Sequence, residues 1–497
     1  MRTLDLFNPM SDDCLARILG RFVKVFYSKG ALSSVFSAPY SKILPLVREH
    51  GLNAKTIHEI HSYSVPDRLA VVDDHRSVTY SEFNSEINQT ARFLQDRYDI
   101  GPGSKVLIMM ENRAEYLSTW IALSRLNASP VHTSYGLKPD ELTYQVQDSE
   151  GNLIVTSEES VSTASTVRDQ INDDLSIICV DETSDFDDVT TLGNHLDNYE
   201  TDYPEIRETE TKPENIVYTS GTTGNPKGAS RELETPDDLL SRLGFVSEAL
   251  GLLDKIPMGV GARQLIVSPI YHSAGQFLSL IQMILAGTVY LRPKFKARDT
   301  LEKLSQWKIN NVFLVATMIR RILDLPDEVL DENPTDELEG MMFSAAPFPQ
   351  TLRERTIEQF GEKTVHELYG ATELGLITHI RGDEMLEKPG SVGQPLAGQE
   401  VKVFDDEGNE LPPNEVGRIG VKNEEIMEGY LGKEQGLNDL LIGDWYTLDD
   451  LGYLESVRVE RYGDDDLAFI EGGAAAETVT VFARGGTEHV TDELERA

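Results

Sequence analysis

Short apolar runs alternating with amphipathic stretches along most of the chain predict an α/β fold, with a large N-terminal domain of layered α/β subdomains. Two further observations refine this. A loop rich in glycine and hydroxyl groups follows a strand-like segment at Asn215 to Tyr218, and from Gly390 onward the composition turns to strand and turn residues, with corners at Gly408, Gly417, Gly420 and Gly429. At 497 residues the chain exceeds one compact core, so more than one domain or subdomain is expected. The expected division is a basic leader over 1–50, a large domain over 51–453 with a β-rich subdomain at about 390–453, and a short final segment over 454–497.

From Cys14 to Arg48 the sequence has Arg17, Arg21, Lys24, Lys29, Lys42 and Arg48 and no acidic residue. Leu15, Ile18, Leu19, Phe22, Val23 and Phe26 fall on one helical face, so an amphipathic helix is expected, either resting on an anionic membrane surface or docked on the chain's own acidic body. His58-Glu59-Ile60-His61 lacks the helical spacing of a zinc protease and reads as a solvated helix face. Arg68 to Asp73 and Ser77 to Tyr80 read as strands, and Ser81-Glu82-Phe83 as the start of a helix. Strands are then expected at Lys105 to Met110, Pro130 to His132, Leu153 to Thr156 and Ile177 to Val180, with helices such as Tyr116 to Leu126 and Asp140 to Gln147 between them. Asp181 to Lys212 is acidic and weakly patterned, which suits surface loop. Beyond it, Gln264 to Pro269, Val312 to Ala316, Met341 to Ala345 and Val365 to Leu368 continue the buried-strand pattern.

With 84 acidic against 45 basic residues the net charge is -39. That excludes a nucleic-acid surface, which needs a basic face, and its spread along the chain fits a solvated acidic shell adapted to a salty cytoplasm. Cys14 and Cys179 are the two cysteines; their separation gives neither a disulfide framework nor a zinc site. No apolar run approaches the length of a membrane span, and residues 1–13 lack the pattern of a signal peptide, so a cytoplasmic location is expected.

The stretch from Tyr218 to Gly228 holds three glycines, several hydroxyls and Lys227. Backbone N–H groups, hydroxyls and a cation converging on one point suit a polyphosphate, and the same residue types also make ordinary turns. Its spacing differs from the phosphate loop that runs directly into a helix, because Pro226 precedes and Gly228 follows the lysine. Tyr271-His272-Ser273-Ala274-Gly275 follows a strand end, where sites form, although a lone histidine there also serves as an ordinary turn or core residue.

Taken together the motifs resemble the adenylate-forming superfamily of acyl-CoA synthetases, luciferases and nonribosomal adenylation domains. Tyr218 to Gly228 is similar to its phosphate signature, Pro269-Ile270-Tyr271-His272 to its acyl-pocket motif and Ser344-Ala345-Ala346-Pro347 to its adenine-lining segment. Tyr369-Gly370-Ala371-Thr372-Glu373 resembles its aromatic-Gly-x-Thr-Glu motif, and Asp444 to Tyr453 the region whose aspartate holds ribose. The resemblance implies two steps: a carboxylic acid attacks the α-phosphorus of ATP to give an acyl-adenylate and pyrophosphate, and the thiol of coenzyme A then takes the acyl group. The layout is most similar to fatty-acyl-CoA synthetases.

It further implies that Thr219, Ser220, Gly221, Thr222, Thr223, Gly224 and Lys227 bind the ATP phosphates. Thr219 and Glu373 would hold Mg²⁺, and Ser344, Ala345, Ala346, Tyr369 and Gly370 would border adenine. Thr372 would contact the α-phosphate, Asp450 the ribose hydroxyls, and His272 the acid. Thr219, Lys227, His272 and Glu373 are the expected catalytic set.

Members of the superfamily continue into a small mobile domain whose lysine assists adenylation. Here 44 residues follow Tyr453, and no lysine occurs after Lys433. Asp466 to Gly473 resembles the hinge and His489 to Glu495 the opening of that domain, so most of it is expected to be missing. Two alternatives follow: a ligase, slow alone or completed by a separate chain carrying the domain, and a binding protein that keeps the nucleotide and acyl pockets without turnover. Asp449 and Arg418 also stand where the superfamily often has a glycine and a glutamate.

Overall fold

The computed structural model describes residues 39–51, 53, 55–171, 175–183, 186, 188–207, 211–219, 226–232, 252–344, 348–423, 429–431, 440–457 and 478–484. The amphipathic helix expected at residues 15–26, the hinge-like residues 466–473 and the segment 489–495 lie outside them.

Two mostly parallel sheets and one antiparallel sheet form the framework. In the first, Leu69–Val72, Thr288–Leu291, Arg263–Ile266, Asn311–Leu314, Gly340–Phe343 and Val365–Ala371 run parallel as neighbours. Antiparallel Ser77–Thr79 closes one edge; Gly375–Arg381 and then Gln394–Pro395 close the other. The second sheet places Lys105–Met109 between Ser129–His132 and Leu153–Thr156. Ser176–Cys179 and Thr190–Thr191 extend it on one side, and Glu214–Thr219, Lys227–Glu232 and Gly429–Tyr430 on the other. The third sheet joins Glu400–Phe404, Gly417–Lys422, Trp445–Val457 and Leu441–Ile442. It also takes in Thr478–Arg484, past the 390–453 span read from composition.

The period-2 alternation of side chains explains how these layers share cores. Along one strand Val106 and Ile108 enter the main cluster, while Leu107 and Met109 enter a separate cluster on the opposite face. The main cluster also holds residues of the first sheet and of the helices Tyr80–Tyr98, Ala114–Arg125 and Ser273–Ile284. The first sheet's central strands are buried on both faces and mostly apolar, with Gln264 and Asn311 as buried polar residues at their starts.

Two local readings are corrected. The helix expected to start near Ser81 is capped by Thr79, whose hydroxyl accepts from the Glu82 N–H while the Glu82 carboxylate accepts from the Thr79 N–H. This reciprocal cap satisfies two otherwise orphaned donors, so the helix begins at Tyr80 and the preceding strand ends at Thr79. The stretch His58 to His61, read as solvated, is buried. His61 Nε2 lies 3.0 Å from the Ile284 carbonyl oxygen, and Glu59 accepts from Tyr63, Asn84 and Asn88 beside the buried Arg125. Glu59 and His61 find partners in the protein instead of water, and periodicity alone cannot distinguish those cases.

Candidate nucleotide and acid site

The glycine-rich loop is the tip of a hairpin. Glu214–Thr219 pairs antiparallel with Lys227–Glu232, with Thr219 opposite Lys227 and Tyr218 opposite Gly228. Thr219 and Lys227 are thereby held side by side at the loop's base, and the tip itself, Ser220 to Gly224, lies outside the described residues. A Cβ on Gly228 would stand 2.8 Å from Leu431 Cδ1, so the strand is packed closely behind the loop. The Tyr218 hydroxyl donates to Asp148 Oδ2 at 2.9 Å; burial first and this carboxylate second push its pKa upward.

A second hairpin delivers Thr372 and Glu373. Val365–Ala371 turns through residues 372–374 into Gly375–Arg381, and Gly375 takes a φ of 75° that favours glycine. The ladder shifts register between Tyr369 and Gly370. A Cβ on Gly370 would meet the Gly375 carbonyl oxygen at 2.3 Å, which is why this bulge requires glycine.

The hairpins meet between residues 154 positions apart, where Thr219 Oγ1 donates to Glu373 Oε1 at 3.4 Å. Arg231, four residues past Lys227, donates to the Thr372 carbonyl oxygen at 3.1 Å, and the Thr372 and Ser273 hydroxyls lie 3.2 Å apart. Ser273 opens a helix whose preceding residue is His272. The half-buried His272 ring lies against Tyr271, 4.6 Å between centroids, and burial lowers its pKa from 6.5 to about 4, so it is neutral at ordinary pH. On the far side the Tyr369 hydroxyl donates to Asp450 Oδ2 at 2.8 Å. Burial and then the Asp450 charge hold that phenol far above its usual pKa, so it remains a donor.

Thr219, Lys227, His272, Tyr369, Gly370, Thr372, Glu373 and Asp450 therefore line one seam among the three sheets. Ser344 follows the strand Gly340–Phe343, a parallel neighbour of Val365–Ala371; Ala345 and Ala346 lie outside the described residues. Sequence reasoning gave no role to Arg231 or Ser273. Ser273 adjoins a singled-out histidine, and Arg231 is the first cation after Lys227, but only the fold brings either to Thr372.

The chain resembles known proteins. The description of the AMP-binding enzyme family matches residues 59–431. The 2-succinylbenzoate–CoA ligase of Bacillus licheniformis is 27% identical over 395 residues, 78% of this chain and 75% of that protein. The Bacillus velezensis enzyme of the same name is 26% identical over 398 residues, 78% and 73% of the two chains. Among solved structures, the N-terminal domain of FACL13 from Mycobacterium tuberculosis has a TM-score of 0.72 at 20% identity over 87% of this chain and 99% of that one. The o-succinylbenzoate CoA synthetase of Bacillus subtilis, solved with its acyl-adenylate intermediate, has a TM-score of 0.66 at 24% identity over 80% and 76%. At such identities the two structures speak for the fold alone.

Proposed function

The chain belongs to the AMP-binding enzyme family, and on that premise we propose that it is an ATP-dependent acid–CoA ligase. A carboxylate is a poor electrophile; joining it to AMP supplies a good leaving group, which the thiol of coenzyme A then displaces as AMP. The observation that carries this reading is the contact of Thr219 with Glu373 beside Lys227, which gathers hydroxyl, carboxylate and cation where a triphosphate needs them. Ser220 to Gly224 would bind the β and γ phosphates, with Lys227 offsetting charge on the departing pyrophosphate. Mg²⁺ takes oxygen ligands and keeps phosphate oxygens and waters beside one or two carboxylates. Thr219 and Glu373 fit that donor set, and the ion would supply charge neutralisation at the phosphates. Thr372 would donate to the α-phosphate and Asp450 would accept from the ribose hydroxyls. Tyr369 would stack on adenine beside Ser344, Ala345, Ala346 and Gly370, and neutral His272 would border the acid.

The acid is a fatty acid on the motif layout. A second reading follows from the names of the curated relatives, which act on 2-succinylbenzoate. Acid-dependent exchange of labelled pyrophosphate into ATP, run with fatty acids of several lengths and with 2-succinylbenzoate, separates these. Exchange with none of them while ATP still binds would replace the ligase by a binding protein that keeps the nucleotide and acid pockets without turnover.

Among the described residues no helix is long and apolar enough to cross a membrane. We place the enzyme in the cytoplasm, with residues 14–48 offering peripheral membrane contact that vesicle flotation of the full chain checks. The charge of -39 reads as salt adaptation, for which the unfolding midpoint should rise with KCl as the repulsion is screened.

A further inference from the structure

A buried chain of hydrogen bonds links the two motifs on which the proposed function rests. His132 ends a strand of the second sheet and pairs in register with Val217, two residues before Thr219. Its Nδ1 lies 2.6 Å from the Tyr116 hydroxyl and its Nε2 lies 2.8 Å from Asn215 Oδ1. Asn215 Nδ2 donates to Gln276 Oε1 at 3.0 Å, and Gln276 Nε2 donates to the Tyr271 carbonyl oxygen at 3.3 Å. Tyr116, His132 and Gln276 are almost wholly excluded from solvent.

The direction of every bond follows from chemistry. A carbonyl oxygen only accepts, so Gln276 must present its NH₂ to Tyr271 and its oxygen to Asn215. Asn215 then presents its own oxygen to His132, which requires Nε2–H, and leaves Nδ1 to accept from Tyr116. Of the two neutral tautomers, Nε2–H is the one that satisfies the chain. Burial keeps the ring neutral by lowering its pKa to about 4.

We infer that Gln276, Asn215 and His132 are positioning residues that set the strand entering the phosphate loop and the Tyr271-His272 acid pocket in register with each other. Asn215 lies on the strand that ends in Thr219, and Gln276 lies on the first turn of the helix that His272 precedes. The parallel ladder fixes the strand within its own sheet, and the relay ties it across the seam to the pocket. An acid held near His272 and a triphosphate held at Thr219 must approach within bonding distance of one another. A displacement of about 1 Å across such a seam costs on the order of a hundredfold in rate.

The test uses the full chain with Gln276→Met, Asn215→Asp and Tyr116→Phe, and with Ser124→Ala as a buried-hydroxyl control that loses only its bond to the Trp120 carbonyl. Asn215→Asp still accepts from His132 but opposes two oxygens at Gln276. The readouts are the Mg-ATP Kd by calorimetry, KM for the acid in pyrophosphate exchange, and the thermal midpoint. The relay predicts about a tenfold rise in acid KM for Gln276→Met with a smaller change in ATP Kd, and about tenfold rises in both for Asn215→Asp. Tyr116→Phe, at the far end, should have the smallest effect of the three on either. Histidine-selective ¹⁵N spectra should show Nε2–H at His132, and an Nδ1–H tautomer would overturn the relay. Losses that follow the thermal midpoint, Ser124→Ala included, with Kd and KM unmoved would reduce it to a structural brace. If the unaltered chain exchanges no pyrophosphate with any acid, the ligase reading fails, and the ATP Kd of Asn215→Asp against Tyr116→Phe still decides the relay.

Discussion

Replacing Glu59 by glutamine should be among the most destabilising isosteric changes in the molecule. Arg125 is fully buried, and its guanidinium donates to the Lys55 carbonyl oxygen at 3.1 Å, to Asn84 Oδ1 at 2.8 Å and to Asn88 Oδ1. It also lies 4.8 Å from the Tyr203 ring centroid. These partners are neutral; the counter-charge is Glu59, 3.7 Å away. Glu59 in turn accepts from the Tyr63 hydroxyl at 2.6 Å and from Asn84 and Asn88 at 2.8 and 3.1 Å. Glu59→Gln keeps the volume, leaves a buried cation without its anion and turns one acceptor into a donor facing donors. Breaking a buried pair in this way costs about 3–5 kcal/mol. Urea denaturation measures it, as a lower midpoint at constant slope. The double variant Glu59→Gln with Arg125→Met removes both charges and should cost less than the sum of the two single changes. If Glu59→Gln stays within about 0.5 kcal/mol of the unaltered protein, the range of ordinary surface changes, the pair is not acting as a buried ion pair and the reasoning is wrong.

Three other expectations follow from the site and the buried histidines. Tyr369→Phe removes a charge-assisted bond to Asp450 worth about 1.5–3 kcal/mol, so KM for ATP should rise about tenfold or more, and an unchanged KM would detach Asp450 from nucleotide binding. Gly370→Ala drives a methyl group into the Gly375 carbonyl oxygen; overpacking of this kind costs about 1–3 kcal/mol and should displace Thr372 and Glu373, lowering exchange activity more than the thermal midpoint alone explains. His132 has a folded pKa of about 4 against an ordinary 6.5, so below 6.5 the unfolded chain binds a proton that the folded one refuses. Its share of stability is whole above pH 6.5 and falls by about 3 kcal/mol by pH 4. Urea midpoints at pH 7, 5.5 and 4.5 should show a slope to which the buried His58, His61, His272, His366 and His379 also contribute, and His132→Gln should lessen it by this share.

The α/β alternation was legible because burial on both faces writes apolar, β-branched runs into the chain, as at Lys105–Met109 and Leu153–Thr156. Tyr218 to Gly228 was legible as a loop because glycine, hydroxyls and proline favour turns, whereas its phosphate reading and the Tyr369 to Glu373 motif rested on the resemblance to the superfamily. The helix Ile57–Ser64 was misread for the complementary reason. His58, Glu59 and His61 look hydrophilic in sequence, and their partners Asn84, Asn88, Arg125 and Ile284 come from three other helices. Asn215 and Gln276 carried no signal, since a lone amide on a strand or helix is ordinary until its neighbour is known.

What the sequence determined by itself was the class of fold, the order of its motifs and the charge of its surface, all of which depend on residue type and spacing along one segment. The nearness of Thr219 and Glu373 was implied by the resemblance; only the tertiary structure decided that Arg231 holds Thr372 and that a relay runs from Tyr116 to Tyr271. Those pairings depend on register between distant strands and on which helix covers which sheet, and a one-residue slip would turn each side chain to the opposite face.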